Sequence, residues 1–353
     1  MPSSPSSPTV SASDASAGAE RREGAPRVTV VIVAFNSGHH LQGALDGLEA
    51  QTYRDFDVVL WDNASTDGAA QRARLPSNTR RVCSEKNLGF AAGNNRAAAR
   101  TRSEFVMLLN PDTVPDPRWL ERLVAALDAT PSAVMAASRQ VCKDAPARLD
   151  GLGDVFHIVG APYRGGFGWS SALAVADGEV FAPSGAAAAY RRAAFEAAGG
   201  FDEDFFCYIE DMDLAFRMRL AGGRCVFVSD AVVAHVGSST LGRKSAFAIY
   251  HGVRNRIWLI AKDVPAPLLA VTAPLHLVVL AARLLATVGE PRAARGAVVR
   301  GMRDGFAGVP RMWRKRRGLR TARRAPVGAL AAAMTWSPWK LVRRAPDVRR
   351  PPP

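Results

Sequence analysis

Cysteine is scarce in this sequence, with four residues among 353. They stand far apart, so no two have the short spacing of a zinc site and the set lacks the density of a disulfide framework. We interpret them as ordinary buried thiols of a protein kept in a reducing compartment. They are Cys83, Cys142, Cys207 and Cys225.

The N-terminus lacks a long apolar run. Residues 1–26 are rich in Ser, Pro and Ala, so they cannot supply the apolar segment of a signal peptide and are predicted to form a disordered tail. The folded part is expected to begin near Arg27. With 48% hydrophobic residues, the chain can bury a full core.

Acidic residues are rare at the other end of the chain. The formal net charge of the protein is +14, and residues 291–353 hold seventeen Lys and Arg against two acids, Asp304 and Asp347. The remainder is therefore close to neutral. The basic character of this protein belongs to its C-terminal tail.

Between the two ends, apolar runs alternate with segments of helical spacing. The runs at 28–33, 58–61 and 105–109 predict buried strands, and the apolar positions at 41, 45 and 48 and at 119, 120, 123 and 127 predict helices. This rhythm is typical of an α/β fold with a mostly parallel central sheet flanked by helices. Ligands of such sheets lie beyond the carboxyl ends of the strands.

Polar loops follow the predicted strands, with the sequences AFNSGHH, DNASTDG, NLGFAAGNN and NPDT. Their Gly, Asn, Asp and Ser residues bring backbone amides and short acceptors close to a bound nucleotide. Ordinary turns and helix caps would explain any one loop, but four at one sheet edge favour a ligand site. No G-x-G-x-x-G follows the first strand, which argues against a Rossmann dinucleotide site.

These loops also carry a family resemblance. Together with GGFDEDFFCYIEDMDLAFRMRLAG and VVAHVGSST, they resemble, in the same order, the motifs of family 2 glycosyltransferases, in particular the rhamnosyltransferase-like branch. The likeness runs from about residue 27 to about residue 262. It implies a GT-A glycosyltransferase domain over residues 27–262, in which a nucleotide-sugar-binding part is continuous with an acceptor-binding part.

The resemblance implies a set of residues that bind a nucleoside-diphosphate sugar. Asp62 would accept a hydrogen bond from the ring N–H of uracil or thymine, as a carboxylate can only accept. The other residues line the base pocket or lie near the ribose and phosphates. The full donor set is Phe35, Asn36, Asp62, Asn87, Gly89, Asn94 and Asn110.

A divalent metal, Mg²⁺ or Mn²⁺, is implied at Asp112. Such a cation binds one or two carboxylates plus the phosphates and neutralises the leaving diphosphate. Family members commonly show Asp-x-Asp here, whereas this chain has Asn110, Pro111 and Asp112, the form of the rhamnosyltransferase-like branch. His235 resembles the family histidine that reaches the metal or pyrophosphate. The alternatives are a strand-ending Pro-Asp and a packed core histidine.

Three acids, Glu210, Asp211 and Asp213, follow an apolar and aromatic stretch. By resemblance Asp211 is the catalytic base that takes the proton of the acceptor hydroxyl, with Glu210 and Asp213 as orienting residues. A single displacement would then invert the anomeric configuration. The alternative is a solvated first helical turn in which Arg217 and Arg219 pair with the acids.

The acceptor site is predicted at Gly185, Asp213 and Trp169. Gly185 and the alanines after it leave room for a sugar ring, and Trp169 ends the loop YRGGFGW, whose aromatic faces could stack on sugar. A packed Gly/Ala strand and a mobile lid are the alternatives that remain open for these two segments.

Residues 263–353 form an apolar and then basic extension. The apolar part, about 264–289, is interrupted by Pro265, Pro267 and Pro274, which favours an interfacial or re-entrant helix over a spanning one. Tryptophans among Lys and Arg suit the headgroups of an anionic bilayer. They are Trp313, Trp336 and Trp339. We therefore expect a helical extension on the cytoplasmic face of the plasma membrane, attached peripherally.

Together these features predict a metal-dependent, inverting glycosyltransferase of cell-wall or polysaccharide synthesis. It would move a sugar, with rhamnose as the leading guess, from a nucleoside-diphosphate donor to a membrane-associated, polyprenol-linked acceptor. Another hexose donor is the alternative within the family. The basic tail alone would also suit a nucleic-acid-binding or membrane-binding protein without catalysis, but an apolar segment directly before it is of no use to a nucleic-acid binder.

Overall fold

The computed structural model describes residues 24–237 and 245–350. The expectation of a disordered tail over residues 1–26 falls almost wholly outside this range. The strands are β1 Val28–Ala34, β2 Phe56–Asp62, β3 Thr79–Cys83, β4 Phe105–Leu109, β5 Thr113–Pro115, β6 Ala133–Cys142, β7 Ala145–Leu152, β8 Asp154–His157, β9 Ala161–Arg164, β10 Gly178–Glu179, β11 Ala187–Arg191 and β12 Arg224–His235.

Eleven helices accompany these strands in the described part of the chain. They are α1 His40–Glu49, α2 Ala69–Arg72, α3 Gly89–Ala98, α4 Trp119–Ala129, α5 Arg192–Ala197, α6 Glu210–Leu220, α7 Ala246–Asp263, α8 Ala266–Leu285, α9 Arg292–Ala322, α10 Val327–Ala333 and α11 Pro338–Arg343. A single 3₁₀ turn, Glu203–Phe205, precedes α6.

The central sheet has the strand order β10-β12-β6-β11-β4-β1-β2-β3, with β5 beside β12 and β7 beside β6. Strands β4, β1, β2 and β3 are parallel neighbours, so the predicted α/β fold with a central sheet flanked by helices is confirmed. The sheet is mixed, because β11 runs antiparallel between β4 and β6. Its alanines, Ala187, Ala188 and Ala189, are fully buried.

Alternate residues of the buried strands face two separate cores. On β4, Phe105, Met107 and Leu109 pack in the core that contains α1 and α4. Val106 and Leu108 pack on the other side, in the core that contains α6 and α7. This two-sided burial explains why the apolar run of β4 is continuous instead of alternating.

The four cysteines differ in their exposure to solvent. Cys225 is buried, but Cys83 is exposed, which corrects the expectation that all four are buried. Cys83 ends β3, the last strand at one edge of the sheet in the described part of the chain.

The C-terminal segment packs on the rest of the fold. Helix α9 lies along α7, and single β-bridges join Thr335 to His157 and Arg349 to Glu179. Three glycines of α9 allow the close approach, because a Cβ at Gly301, Gly305 or Gly308 would lie within 3.0 Å of atoms of α7. The predicted boundary near residue 262 thus falls at the end of α7, and the helices beyond it still contact the core.

Helix α8 coincides with the predicted apolar segment. Pro265 and Pro267 lie at its start, and Pro274 lies inside a helix that nevertheless continues to Leu285. In the described part of the chain, α8 is the one helix long and apolar enough to cross a membrane, and 22% of its apolar window is buried. Most of the apolar surface of α8 is therefore exposed and could contact lipid.

The glycine face of α9 gives a stability prediction. Gly301→Ala should destabilise the protein by about 1–3 kcal/mol, because the new Cβ would lie 2.8 Å from the backbone oxygen of Tyr250, which cannot move aside. Gly318→Ala in the same helix meets nothing within 4 Å and should be neutral or stabilising by up to about 1 kcal/mol. Thermal unfolding measures both, and equal midpoints would contradict the close packing of α9 on α7.

Candidate active site

A cavity of about 630 Å³ opens where β1 and β4 end and α6 begins. Nine of the fourteen predicted site residues line it. They are Phe35, Asn87, Gly89, Asn110, Asp112, Gly185, Glu210, Asp211 and His235. The parallel strands bring these side chains together because their carboxyl ends meet at one edge of the sheet.

One side of the cavity is built by the loops that follow β1, β2 and β3. Asn63, which sequence reasoning passed over although it directly follows Asp62, joins two of them: its Nδ2 donates to Asn87 Oδ1 at 2.8 Å, and its Oδ1 accepts from the backbone N–H of Leu88 at 3.0 Å. Asn63 also lines the cavity. It therefore holds Asn87 and Gly89 in the wall.

Three predicted donor residues lie outside the cavity wall. The carboxylate of Asp62 folds back into its own loop, accepting from Ser65 N at 3.0 Å and from Gln71 Nε2 at 2.9 Å. Asn36 accepts from Thr66 N, and the buried Asn94 donates to Phe90 O within α3. These side chains shape the loops of the cavity and do not line it.

The metal corner is formed by Asp112 and His235. Strand β5 pairs with β12 so that His235 lies opposite Thr113, the residue after Asp112. The Nε2 atom of His235 is 3.4 Å from Asp112 Oδ1, and both side chains are largely buried. The pairing of two distant strands thus creates the contact between two residues that are far apart in sequence.

The other ring nitrogen of His235 is held by Asp150, which sequence reasoning missed. Asp150 Oδ2 lies 2.7 Å from Nδ1 of His235 and also accepts from Arg164 at 2.5 Å. Burial lowers the pKa of His235, but the carboxylates of Asp112 and Asp150 outweigh burial and raise it above its ordinary value. A proton on Nδ1 leaves the lone pair of Nε2 facing Asp112, which is the geometry of a metal-ligating histidine with a carboxylate behind it.

The donor set at this corner fits a hard divalent cation. No group of three or more His, Cys, Asp or Glu side chains in residues 24–237 and 245–350 is arranged to hold an ion alone. One carboxylate and one imidazole suit an ion that also takes oxygen atoms from a diphosphate and from water. The buried Nε2 of His235 has no hydrogen-bond partner in that part of the chain, so it can accept this role.

Asp211 lies at the start of α6 with its carboxylate directed at the cavity. It accepts hydrogen bonds from Gly185 N at 2.9 Å and Met212 N at 2.8 Å. Burial raises the pKa of Asp211, and these bonds offset only part of the effect. A carboxyl with a raised pKa is a stronger base when it is ionised.

Two further carboxyl groups line the same cavity. Burial and the charge of Asp211 raise the pKa of Glu210 and of Asp154 well above their ordinary values. Oε2 of Glu210 and Oδ1 of Asp154 have no hydrogen-bond partner in the described part of the chain. Asp154 was not predicted, because GLGDVF carries no local signal of a site. Both groups therefore bind a proton more readily than an ordinary carboxyl group.

A strained loop delivers these acids. Phe206, Tyr208 and Ile209 all have positive φ, at 66°, 66° and 75°. Non-glycine residues adopt this conformation only when their surroundings enforce it, at a cost of about 1–3 kcal/mol each. All three side chains line the cavity, so bulky residues are kept where glycine would fit the backbone better.

Asn255 of α7 enforces the loop conformation. Its fully buried Nδ2 lies 3.0 Å from Phe205 O, 2.9 Å from Cys207 O and 2.7 Å from Tyr208 O. From the other side, Phe206 O accepts from Ala91 N of α3 at 3.0 Å. The loop is therefore clamped between the nucleotide half and the C-terminal helices.

Two predicted acceptor residues, Asp213 and Trp169, do not line the cavity. Asp213 is fully buried and pairs with Arg217 at 2.6 Å and Lys262 at 2.5 Å. Trp169 donates to Arg343 O at 2.9 Å and packs against Trp339, outside the cavity. Of the two arginines considered as partners of the acids, Arg219 pairs instead with Glu179.

Comparisons with known proteins identify the family of this chain. Residues 29–199 match the sequence profile of glycosyl transferase family 2. An N-acetylglucosaminyl-diphospho-decaprenol L-rhamnosyltransferase of Mycobacterium tuberculosis is 32% identical over 248 residues, which cover 62% of this chain and 78% of that protein. The chain belongs to glycosyltransferase family 2. It is a glycosyltransferase, as predicted.

Two solved structures show the same fold. A mannosyltransferase from Pyrobaculum calidifontis in complex with GDP-Man and Mn²⁺ is 21% identical, with a TM-score of 0.51 over 84% of this chain and 86% of that one. TarS 1–349 of S. aureus in complex with UDP-GlcNAc is 15% identical, with a TM-score of 0.53 over 88% and 93%. The predicted GT-A fold is confirmed.

The clamp on the strained loop gives a prediction for this glycosyltransferase. Asn255→Leu keeps the side-chain size but removes the side-chain donor from the carbonyls of Cys207 and Tyr208, so the acids of α6 should lose their orientation. Turnover should fall about tenfold or more, while donor affinity changes less than about twofold.

Asn78→Leu is the matched control. Asn78 also donates to a backbone carbonyl, Phe56 O at 2.8 Å, but it lies away from the cavity. It should lower the unfolding temperature without lowering turnover. Steady-state kinetics and thermal unfolding of both variants test whether Asn255 positions the acids of α6. Unchanged turnover in folded Asn255→Leu would mean that Asn255 has only a structural role.

Proposed function

We propose that this glycosyltransferase moves L-rhamnose from a nucleoside-diphosphate donor to a lipid-linked sugar acceptor, with inversion at the anomeric carbon. The observation that carries the proposal is the placement of Asp211, an enclosed carboxylate, in the same cavity as Asp112 and His235. A base and a diphosphate-binding corner in one chamber are the two parts that a single displacement requires.

The donor would lie with its diphosphate at Asp112 and His235 and its nucleoside along Phe35, Asn87 and Gly89. A Cβ at Gly89 would lie 2.5 Å from Phe206, so only glycine leaves this part of the wall open. A divalent metal held by Asp112 and His235 supplies positive charge to the leaving diphosphate. Asp150 and Arg164 orient His235 from behind.

The acceptor hydroxyl would approach between Asp211 and Gly185. Its proton passes to Asp211, its oxygen forms the new bond to the anomeric carbon, and the bond from that carbon to the diphosphate oxygen breaks. The attack comes from the face opposite the leaving group, so the configuration inverts and no sugar becomes attached to the enzyme. The raised pKa of Glu210 and of Asp154 favours their neutral forms, which would limit the negative charge around the base.

The rhamnosyl donor and lipid-linked acceptor are proposed from the mycobacterial relative, whose name gives both. The Asn110-Pro111-Asp112 sequence supports the same donor. The exposed apolar surface of α8 and the basic residues of α9 support attachment to an anionic membrane surface at its cytoplasmic face, where nucleotide sugars are made. Another hexose donor remains the second candidate.

Transfer assays test the function. With a panel of nucleotide sugars and a lipid-linked N-acetylglucosamine acceptor, dTDP-L-rhamnose should give the fastest transfer.

Asp211→Asn should lose about a hundredfold or more in turnover while donor affinity stays close to wild type. In the wild type, the rate should fall as pH falls through the raised pKa of Asp211, since the protonated carboxyl cannot accept the acceptor proton. Near-normal turnover of Asp211→Asn would remove Asp211 from the role of base, and faster transfer from another donor would replace rhamnose.

Calorimetry tests the metal corner. Asp112→Ala should weaken binding of the nucleoside diphosphate about tenfold or more in the presence of Mn²⁺, because the carboxylate acts through the ion. In EDTA the wild type and the variant should bind alike. An equal loss in both conditions would mean that Asp112 supports the loop structure instead of the ion.

A further inference from the structure

A second, smaller cavity of about 170 Å³ lies between α7 and α8, and nothing above assigns it a role. Most of its wall is apolar or small, but two arginine side chains enter it. The lining residues are Ala248, Ile249, Gly252, Val253, Arg256, Val279, Leu280 and Arg283. Its volume is adequate for a group the size of a phosphate and too small for a nucleotide.

The charges of this cavity are unbalanced. Arg256 donates through Nε to Gly252 O of its own helix at 3.2 Å, and no acidic side chain of residues 24–237 and 245–350 pairs with it. Arg283 pairs with Glu290 at 3.2 Å, on the partly exposed side of α8. Burial and the neighbouring charge of Arg283 lower the pKa of Arg256. Two guanidinium groups facing one enclosed space favour an anion with several oxygen atoms.

The surroundings of the cavity indicate that this anion is attached to an apolar chain. On α8, the helix that carries Arg283, Leu277 is 54% exposed, Val278 66% and Leu285 71%. A free phosphate has no use for this apolar surface, whereas a lipid phosphate places its charge and its chain side by side. The arginines and the apolar face of α8 therefore match the two parts of one amphipathic ligand.

The cavity is also a close neighbour of the active site. Phe247 in the first turn of α7 lines the large cavity, and the next residue, Ala248, lines the small one. The two chambers thus lie on different sides of the same helical turn. A lipid-linked sugar could reach the large chamber with its sugar while its phosphate remains at the arginines.

We propose that Arg256 and Arg283 form a binding site for the phosphate group of a lipid. Two sources share this chemistry: the headgroup of a membrane phospholipid, and the phosphate of the lipid-linked acceptor. The second source rests on the proposed function, since it requires a lipid-linked acceptor; the first does not. The site is separate from Asp112 and His235, which face the donor diphosphate.

Binding of full-length protein to vesicles tests the site without requiring transfer. Neutral phosphatidylcholine vesicles are compared with vesicles that also carry phosphatidylglycerol or a polyprenyl phosphate. Arg256→Gln and Arg283→Gln should each weaken binding to one or both phosphate-bearing vesicles about tenfold, the loss of a charge-assisted contact to phosphate. The matched control is Arg102→Gln, an exposed arginine of the loop before β4 with the same change in net charge, which should weaken binding less than about twofold.

Kinetics identify the source of the phosphate. If the acceptor supplies it, Arg256→Gln should raise KM for a detergent-solubilised lipid-linked acceptor about tenfold, with KM for the donor unchanged and transfer to a phosphate-free sugar unaffected. If a phospholipid supplies it, binding to phosphatidylglycerol vesicles falls and the acceptor KM stays the same.

The proposal is overturned if Arg256→Gln and Arg283→Gln bind every vesicle as Arg102→Gln does and leave the acceptor KM unchanged. Thermal unfolding of both variants separates this result from a loss of fold. Arg256 has no acidic partner in the described part of the chain, so removal of its charge should leave the unfolding temperature equal or higher, and Arg283→Gln removes only a partly exposed pair with Glu290. A failure of transfer by the wild type would argue against the proposed function alone, since the vesicle measurements stand without it.

Discussion

The carboxylate of Asp213 connects three parts of the molecule that are distant in sequence. It pairs with Arg217 within α6 and with Lys262 at the end of α7, and Lys262 reaches Asp202 at 2.6 Å in the turn before α6. Asp202 in turn pairs with Lys315 of α9 at 2.5 Å. Since Asp213 and Lys262 are buried, each charge depends on the others for compensation, and removal of one partner would cost about 3–5 kcal/mol.

The pH response of this network follows from its charges. Burial raises the pKa of Asp213, but Arg217 and Lys262 outweigh it and hold that pKa below its ordinary value. The resulting stability is present above the ordinary carboxyl pKa and is lost as pH falls through the lower folded value. The pKa shifts in the active site have the opposite direction, because burial raises the pKa of Asp211 and Glu210 in the same turn of α6. One helix therefore carries a structural carboxylate that stays ionised and a base that can take up a proton.

Almost all of the α/β core could be predicted from the sequence, because local patterns of apolar residues indicate its strands and helices. Each pattern can be recognised within one short segment. Examples are the apolar run at Phe105–Leu109 and the helical spacing at Leu41, Leu45 and Leu48. The polar loops after the strands were also predictable, since the carboxyl ends of parallel strands meet at one edge. For the same reason, most of the predicted site residues line one cavity.

The remaining errors concern contacts that no local pattern encodes. Helical spacing places Asp213 on the same side as Glu210, but its partner Lys262 lies 49 residues further along the chain. Trp169 is held by Arg343, 174 residues away. Asp150, Asp154 and Asn255 were missed because each acquires its role only when strands or helices from different segments meet. The expectation of a mostly parallel sheet also did not include the antiparallel strand β11, because tertiary packing sets the direction of that strand.

The dependence of the loop at Phe206–Ile209 on Asn255 has a consequence for the order of events during synthesis. The strands and loops that form the nucleotide side of the cavity are all translated before residue 112, and they contribute only Ala91 to the clamp. The positive backbone angles near Tyr208 can be held only after α7 has left the ribosome, and α7 is covered only after α9 follows. A nascent chain released early would thus present a nucleotide pocket without a positioned base, so binding competence would come before catalytic competence.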